Sequence, residues 1–272
     1  TSAPERGRDL GRLDSLARSL SDRFRPRSTA YWELWLDGER AVTGESSEST
    51  DGTEAIYGNA YLPRKFKIAV AWPGDNSIDV YSNDVGIVLV AGSDGTPGAV
   101  VLAGGGLGRS HTDESTFPRL AEPMAWVSDS ELGDVVEAIV AEFRDEGNRS
   151  DRSHARLKYL VDEHGIGWLR CRVEERLGRP LADPQPIPAW GGARDHLGWH
   201  RQNDDGRWYL GLPVPTGRLE DTEFVARRTA VRTVLDEVEA LEVPTLLLLN
   251  KCDRLDADER ARVRGAHAGT FE

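Results

Sequence analysis

Short apolar runs of strand length, separated by turn-forming residues, constrain the fold of this chain more than any other feature. They predict four strands, at 67–72, 78–81, 86–91 and 100–102. From residue 132 onward, apolar residues recur at helical spacing, which predicts helices at 132–143, 153–163 and 167–177, the first with Ser128 or Ser130 as its N-cap. Because the strands precede the helices rather than alternating with them, the pattern indicates an α+β fold.

Further elements are predicted on both sides of this region. They are an amphipathic helix at 8–24, an aromatic strand at 30–35, a polar loop at 41–56, a β-hairpin within 185–220, and a stub made of a helix at 224–241 and an apolar strand at 245–249. The polar loop and the turns are expected at the surface.

The composition limits the classes of partner. A net charge of −12 argues against a general nucleic-acid-binding surface, which requires a basic face. No apolar run approaches the roughly 18 residues of a membrane span, and the first residues contain no apolar signal-peptide core. We therefore expect a cytoplasmic protein whose partners include neither a membrane nor a nucleic acid.

Three cations lie close together in the run Arg64-Lys65-Phe66-Lys67. In an extended segment the side chains alternate, so Lys65 and Lys67 lie on one face and Phe66 on the other. Two ammonium groups on one face repel each other unless an anion lies between them, so an anion-binding site is one interpretation. From spacing alone, the favoured interpretation is a solvated edge strand, where lysine commonly guards against aggregation.

Two further segments have a composition typical of ligand binding. The glycine-rich loop at 104–108 follows a strand but lacks the Gly-Lys-Ser/Thr ending of a nucleotide-binding P-loop, and a tight turn is the alternative. The segment 148–158 is basic, and its Arg152 and Arg156 are spaced to share one helix face. Taken alone, such a face is more often solvated.

The order of these motifs resembles that of the sulfite and nitrite reductases that couple sirohaem to an iron–sulfur cluster. The resemblance covers residues 8–222 and includes the segments 25–31, 79–84 and 197–199. It implies a helical segment at 1–24, a sirohaem-binding domain with a mixed sheet and helices at 25–180, and a truncated ferredoxin-like half-domain at 181–222.

The resemblance also implies site residues, cofactors and partners. Lys65 and Lys67 are expected to be catalytic and to reach the oxyanion bound on the sirohaem iron. Sirohaem carries many carboxylates and needs cationic partners. Its binding is assigned to Arg64, Gly104, Gly105, Gly106, Asn148, Arg149, Arg152 and Arg156. The implied substrate is a small anion, sulfite in sulfur assimilation or else nitrite, and the implied electron donor is ferredoxin or a flavoprotein.

The cysteines do not match this family. A four-iron cluster requires four cysteine thiolates, whereas the chain contains only Cys171 and Cys252, and Cys171 is predicted to be a half-buried helix residue. We therefore expect no metal ligands in this chain and no activity from it alone. The alternative is a non-catalytic remnant that binds a porphyrinoid or has a structural role.

The end of the chain resembles a different family. An apolar strand followed by Asn250-Lys251-Cys252-Asp253 is similar to the guanine-specificity motif of Obg-related P-loop GTPases. The chain has no Gly-x-x-x-x-Gly-Lys-Ser/Thr sequence, so Asn250, Lys251 and Asp253 are expected to bind no nucleotide. This resemblance predicts that residues 223–272 are a GTPase-like fragment, joined near residues 222–224 as a fusion or an artefact.

Overall fold

The structure, a computed structural model, describes most of the first 190 residues and little of the rest. The described residues are 10–27, 34–36, 39–41, 54–58, 61–190, 196–201 and 208–211. The chain divides into two compact units, Thr1–Asp195 and His196–Glu272. The predicted helix–strand stub, with Asn250, Lys251 and Asp253, lies outside the described residues. Among the described helices, none is both long and apolar enough to cross a membrane.

A four-stranded mixed sheet forms the centre of the first unit. A separate antiparallel pair, β1 (Leu34–Leu36) and β2 (Glu39–Ala41), precedes it in the chain. The central strands are β3 (Ile68–Ala71), β4 (Val85–Leu89), β5 (Gly98–Ala103) and β6 (Glu122–Ser128), hydrogen-bonded in that order. β3 is parallel to β4, whereas the other two pairs are antiparallel. The parallel pair requires that residues 72–84 cross back, so that β3 and β4 begin at the same end of the sheet.

Four helices cover one face of this sheet. They are α1 (Leu10–Arg23), α2 (Leu132–Glu146), α3 (Leu157–His164) and α4 (Ile166–Leu177). Because side chains alternate along a strand, Ile87 packs against the helices while its neighbour Val88 packs on the opposite face. Val80 and Trp190 contribute to the core on that opposite face. The mixed sheet with its helices confirms the predicted α+β fold.

The strand predicted at 78–81 is wrong. Residues Val80–Ser82 form a 3-10 turn instead. The Asn76 side-chain oxygen accepts the Val80 N–H at 2.8 Å, and Asp79 has a left-handed φ of 50°, so the backbone does not extend here. In the second unit, β7 (Gly198–Arg201) and β8 (Trp208–Gly211) pair antiparallel, which confirms the predicted hairpin.

Within the described residues, the helix predictions are correct except at the starts of two helices. Neither Ser128 nor Ser130 caps α2, because Glu131 occupies the N-cap position and its carboxylate accepts the Ser128 hydroxyl at 2.6 Å. The helix predicted at 153–163 is the shorter α3, and a separate 3-10 turn, Arg152–His154, precedes it.

A buried carboxylate joins α2 to α4. Glu142 on α2 is 1% exposed, and its side chain accepts Arg172 Nε at 3.2 Å and Arg176 Nε at 2.7 Å. Both arginines lie on α4, and Arg176 also pairs with Asp145 at 2.9 Å. Because a buried carboxylate loses its hydration, these guanidinium groups are what stabilises a charge between the two helices.

A buried lysine on α3 fixes the long connection between β5 and β6. The Lys158 ammonium donates to the carbonyl oxygens of Gly106 at 3.3 Å, Gly108 at 2.7 Å and Phe117. Its Nζ also lies 4.8 Å from the centre of the Tyr159 ring. Burial is the main cause that lowers the pKa of Lys158. The connection is therefore held from inside by one cation.

A histidine attaches the same connection at its outer side. His154 Nδ1 lies 2.7 Å from Asp151 Oδ2, and Nε2 lies 3.3 Å from the Ser115 carbonyl oxygen. Both partners only accept hydrogen bonds, so the two contacts together need the doubly protonated ring. The hydrogen bond with Asp151 is the main cause that raises the pKa of His154. Hydrogen bonds from Ser153 and His154 lower the pKa of Asp151 to about 2.

Replacing Glu142 with alanine is expected to lower the free energy of unfolding by about 2–3 kcal/mol, because it removes the charged hydrogen bonds between α2 and α4. Urea denaturation followed by circular dichroism measures the change. Glu146→Ala is the matched control, since Glu146 lies on the same helix but its 3.5 Å pair with Arg172 is at the surface. Its expected loss is below about 0.5 kcal/mol. Equal losses would contradict the importance of the buried carboxylate.

The contact between His154 and Ser115 is expected to weaken as the pH rises. Since folding raises the pKa of His154, its contribution to stability is complete below about pH 6.5 and is lost as the pH rises through the folded value. Amide hydrogen exchange in residues 109–116, corrected for the intrinsic rate, should increase between about pH 6 and pH 8. His154→Gln should abolish this dependence. If the dependence persists in that variant, another group controls the connection.

Candidate functional site

Residues from three separate parts of the sequence meet at one end of the central sheet. Lys67 precedes β3 and Asp84 precedes β4, and these strands are parallel, so the two residues are neighbours. Gly104 follows β5, which is antiparallel to β4 and therefore ends at the same edge. The Gly104 N–H donates to the Asp84 carbonyl at 2.9 Å, and the Val85 N–H donates to the Lys67 carbonyl at 3.0 Å.

Lys65 and Lys67 lie in an irregular segment, residues 61–67, rather than in a strand. The predicted alternation of sides is nevertheless present. Both lysines are exposed, whereas Phe66 between them packs against Phe143 with 5.5 Å between the ring centroids. Within the described part of the chain, neither lysine side chain forms an ion pair or a hydrogen bond. Both ammonium groups are thus available to an anionic ligand.

The backbone of segment 61–67 is anchored at both ends. At its start, the Arg149 guanidinium donates to the carbonyl oxygens of Tyr61 at 2.6 Å and Arg144 at 2.7 Å, which links the segment to the end of α2. Tyr61 has a left-handed φ of 51°, a conformation uncommon for a residue with a side chain. At the other end, the Lys67 N–H donates to Asp84 Oδ2 at 2.9 Å. Side chains and the sheet together therefore fix the course of this segment.

Asp84 is buried and pairs with Arg156 through both carboxylate oxygens. Arg156 Nε lies 3.1 Å from Oδ1, and one terminal nitrogen lies 2.7 Å from Oδ2. Asp84 is 0% exposed. Burial raises the pKa of its carboxyl, and the charge and hydrogen bonds of Arg156 act in the opposite direction. Arg156, expected at the rim of the cofactor, therefore has a protein carboxylate as its partner.

The glycines that were expected to admit a macrocycle are enclosed by the protein itself. Gly104 has a left-handed φ of 84°, and a Cβ at Gly105 would collide with the Tyr81 carbonyl oxygen. A Cβ at Gly106 would lie 3.2 Å from the Lys158 side chain. Backbone conformation and internal packing explain all three glycines, so the geometry favours the tight-turn alternative.

Asn148 and Arg152 lie in the turn between α2 and α3. The Asn148 side-chain oxygen accepts the N–H groups of Ser150 and Asp151 at 3.0 Å each and so shapes the backbone. Arg152 is in the 3-10 turn and Arg156 is at the N-cap of α3, so the predicted shared helix face is wrong. The Arg152 side chain is exposed and pairs with no carboxylate of the described residues.

Two residues to which the sequence analysis gave no role, Asp84 and Lys158, hold the site together. Each is charged and each adjoins buried apolar residues: Asp84 directly precedes the apolar run of β4, and Lys158 lies between Leu157 and Leu160 on α3. Charged side chains in such surroundings are rarely buried without partners. A charged residue beside an apolar run is therefore the sequence signal that points to such residues, and it was not used for these two.

Four cations of the described part of the chain have charges that suit an anionic cofactor. Arg64, Lys65, Lys67 and Arg152 form no ion pair with any described residue. Guanidinium and ammonium groups in this condition are able to hold carboxylates or a bound oxyanion. The residues present therefore suit a carboxylate-rich macrocycle such as sirohaem.

The cysteines do not fit a four-iron cluster, which takes four thiolate ligands. Cys171 lies on α4 and is exposed rather than half-buried as predicted, and Cys252 lies outside the described residues. Among the described residues, no group of three or more His, Cys, Asp or Glu side chains is placed to hold a metal ion. This chain has only two cysteines and cannot supply the cluster's ligands alone.

This chain is similar in sequence to known proteins over much of its length. The family model of the nitrite and sulphite reductase 4Fe-4S domain matches residues 16–181. Sulfite reductase (ferredoxin) of Synechococcus elongatus is 40% identical over 273 residues, covering 92% of this chain and 43% of that protein. The sulfite reductase (NADPH) hemoprotein beta-component of a Paenibacillus species is 41% identical, and the match covers 80% of this chain and 37% of that protein. The solved structure of Mycobacterium tuberculosis NirA is 33% identical, covers 56% of this chain and 27% of its own, and has a TM-score of 0.48.

The extent of these matches bears on the predicted join. The chain spans less than half the length of the curated relatives. Residues 1–222 are 222 of 272 residues, or 82% of the chain, so a match covering 92% reaches beyond residue 222. The predicted junction with a GTPase fragment near residues 222–224 stays a prediction. With more than half of its residues matched by the family model, the chain belongs to the nitrite and sulphite reductase 4Fe-4S domain family.

Proposed function

We propose that this chain is the part of an assimilatory sulfite reductase that holds the anionic substrate, with Lys65 and Lys67 as its catalytic residues. The observation that carries the proposal is segment 61–67. It presents two exposed ammonium groups, without an ion pair among the described residues, on a backbone anchored to the sheet end. Nitrite is the alternative substrate, because the family is described for both anions.

Lys65 and Lys67 act through charge and through proton donation. Sulfite is an anion, and its charge has to be offset when it leaves water for a site of low dielectric constant. Two ammonium groups next to one another provide that offset. They also donate hydrogen bonds to the oxygens of the substrate and are a source of the protons consumed as those oxygens leave as water. Sirohaem, when bound, supplies the iron that takes the substrate and passes electrons to it.

The cofactor roles follow from the contacts of each residue. Arg64 and Arg152 are proposed to bind sirohaem carboxylates directly, since no carboxylate of the described residues pairs with them. Asn148 and Arg149 are proposed to line the cofactor while they shape the backbone. Arg156 and the glycines at 104–106 are proposed to support the site from inside.

The remaining parts of the reaction are proposed to lie outside this chain's own residues. Its two cysteines do not supply four thiolates, so the ligands of the cluster belong to another part of the complete protein. The relatives are named for ferredoxin or for NADPH. We propose that ferredoxin or an NADPH-linked flavoprotein supplies the electrons, and that the reaction takes place in the cytoplasm.

Lys65→Met and Lys67→Met are each expected to lower kcat/KM for sulfite about 10- to 100-fold, which corresponds to roughly 1–3 kcal/mol of transition-state stabilisation. Methionine keeps an apolar stem but removes the charge. The host is a complete sulfite reductase that carries residues 10–190 of this chain in place of its own. Steady-state kinetics measures the change, and the sirohaem absorption spectrum should be unaltered because other cations hold the macrocycle.

Arg179→Met is the control for this experiment. Arg179 pairs with Glu131 at 2.9 Å near the opposite end of the sheet, so kcat/KM should not change. Parental rates in both lysine variants would instead support a solvated segment without a role in catalysis. The same assays with nitrite identify the preferred substrate as the anion with the larger kcat/KM.

The chain by itself is expected to bind no four-iron cluster, because it has two cysteines where four thiolates are needed. It should be expressed with an excess of iron and then assayed for iron and acid-labile sulfide. Values far below about four of each per chain are expected. A full complement of both would mean that other side chains serve as ligands.

A further inference from the structure

We propose that Asp84 and Arg149 are positioning residues that set the place of the Lys65 and Lys67 ammonium groups by fixing the two ends of segment 61–67. The inference rests on the proposed function of the two lysines and extends it to the hydrogen bonds that Asp84 and Arg149 make with the backbone of the segment.

Segment 61–67 needs such support because it precedes β3 and belongs to no strand. Its first six residues therefore have no ladder hydrogen bonds to hold them. Lysine side chains lose rotamer freedom when an anion binds. A backbone that is already fixed loses no further entropy at that step, which keeps the total cost of binding lower. Two neighbouring ammonium groups also repel each other, so their backbone has to be held from the opposite side.

Asp84 provides the anchor at the end nearer the sheet. Its Oδ2 accepts the Lys67 N–H at 2.9 Å. The same carboxylate accepts hydrogen bonds from Nε and from one terminal nitrogen of Arg156, at 3.1 and 2.7 Å. A buried carboxylate without Arg156 would attract the nearest ammonium group. Because Arg156 already neutralises it, the side chain of Lys67 is left for the substrate. One carboxylate thus places the Lys67 backbone without capturing its side chain.

Arg149 provides the anchor at the other end. One of its terminal nitrogens donates to the carbonyl oxygens of both Tyr61 and Arg144, at 2.6 and 2.7 Å. These bonds hold the left-handed turn at Tyr61 against the end of α2. Phe66, packed on Phe143, fixes the middle of the segment. The side chains of Lys65 and Lys67 are then the parts of the segment that face solvent.

A double-mutant cycle in the complete holoenzyme described above tests this inference. Asp84→Asn is expected to raise the KM for sulfite about 5- to 20-fold with a smaller change in kcat. If Asp84 acts through Lys67, the same substitution in the Lys67→Met background should raise KM less than about twofold. A purely structural role predicts an equal effect in both backgrounds, and that result would overturn the proposal.

A second readout does not depend on turnover. In the protein without its cofactor, Asp84→Asn should increase the amide exchange of residues 61–67 relative to that of β5. Asp129→Asn is the matched control, because Asp129 takes both prongs of Arg12, at 2.7 and 2.8 Å, beyond the opposite end of β6. It should lower stability but leave both KM and the exchange of segment 61–67 unchanged. Unchanged exchange in Asp84→Asn counts against the proposal.

Arg149→Met keeps the test decisive if Asp84→Asn fails to fold. Arg149 is exposed, so this variant is expected to fold. Its effect on KM should be about 3- to 10-fold in the parent and should disappear in Lys65→Met. If Lys65→Met and Lys67→Met lower activity but Arg149→Met does not change KM, the positioning inference is wrong and the proposed function stands. If the lysine variants themselves have no effect, the proposed function is wrong, and the positioning inference that rests on it is wrong as well.

Discussion

The buried carboxylate of Asp84 is the group on which the arrangement of this end of the central sheet depends. The carboxylate accepts the backbone N–H of Lys67 and two hydrogen bonds from the Arg156 guanidinium. The backbone carbonyl oxygen of Asp84 accepts the Gly104 N–H. Three stretches of chain therefore meet on one residue. Because the carboxylate is fully buried, the Lys67 N–H and the Arg156 guanidinium offset part of the cost of keeping its charge away from water.

A second buried charge lies close to the first. Lys158 is 1% exposed, and its ammonium donates only to carbonyl oxygens of the connection between β5 and β6. The rest of the sheet core consists of apolar residues such as Ile87 and Val101. Stability thus comes mainly from the apolar centre of the sheet, whereas the charged groups at its end fix which segments of the chain meet there.

Much of the fold is predictable from local pattern, and much of the site is not. The strands β4 and β5 are continuous apolar runs, and the packing of Phe66 against the core is enough to place Lys65 and Lys67 on the outer side. β6 is absent from the predicted strands because Glu122 and Pro123 interrupt its apolar pattern. The partner of Arg156 lies 72 positions away in the sequence, so no local spacing indicates that its guanidinium is already occupied. Local spacing also does not indicate that Gly106 packs against Lys158, because Lys158 lies on α3.

The parallel pairing of β3 and β4 also has a consequence for the order of folding. An antiparallel hairpin such as β4–β5 closes over a short loop, whereas the contact between Lys67 and Asp84 forms only after the crossover at 72–84 has returned along the sheet. Contacts that close over longer stretches of chain carry a larger entropic cost before they are rewarded. Segment 61–67 should therefore acquire its final course after the β4–β5 hairpin has begun to close. In a newly made chain, Lys65 and Lys67 would then reach their final positions only after that hairpin has closed.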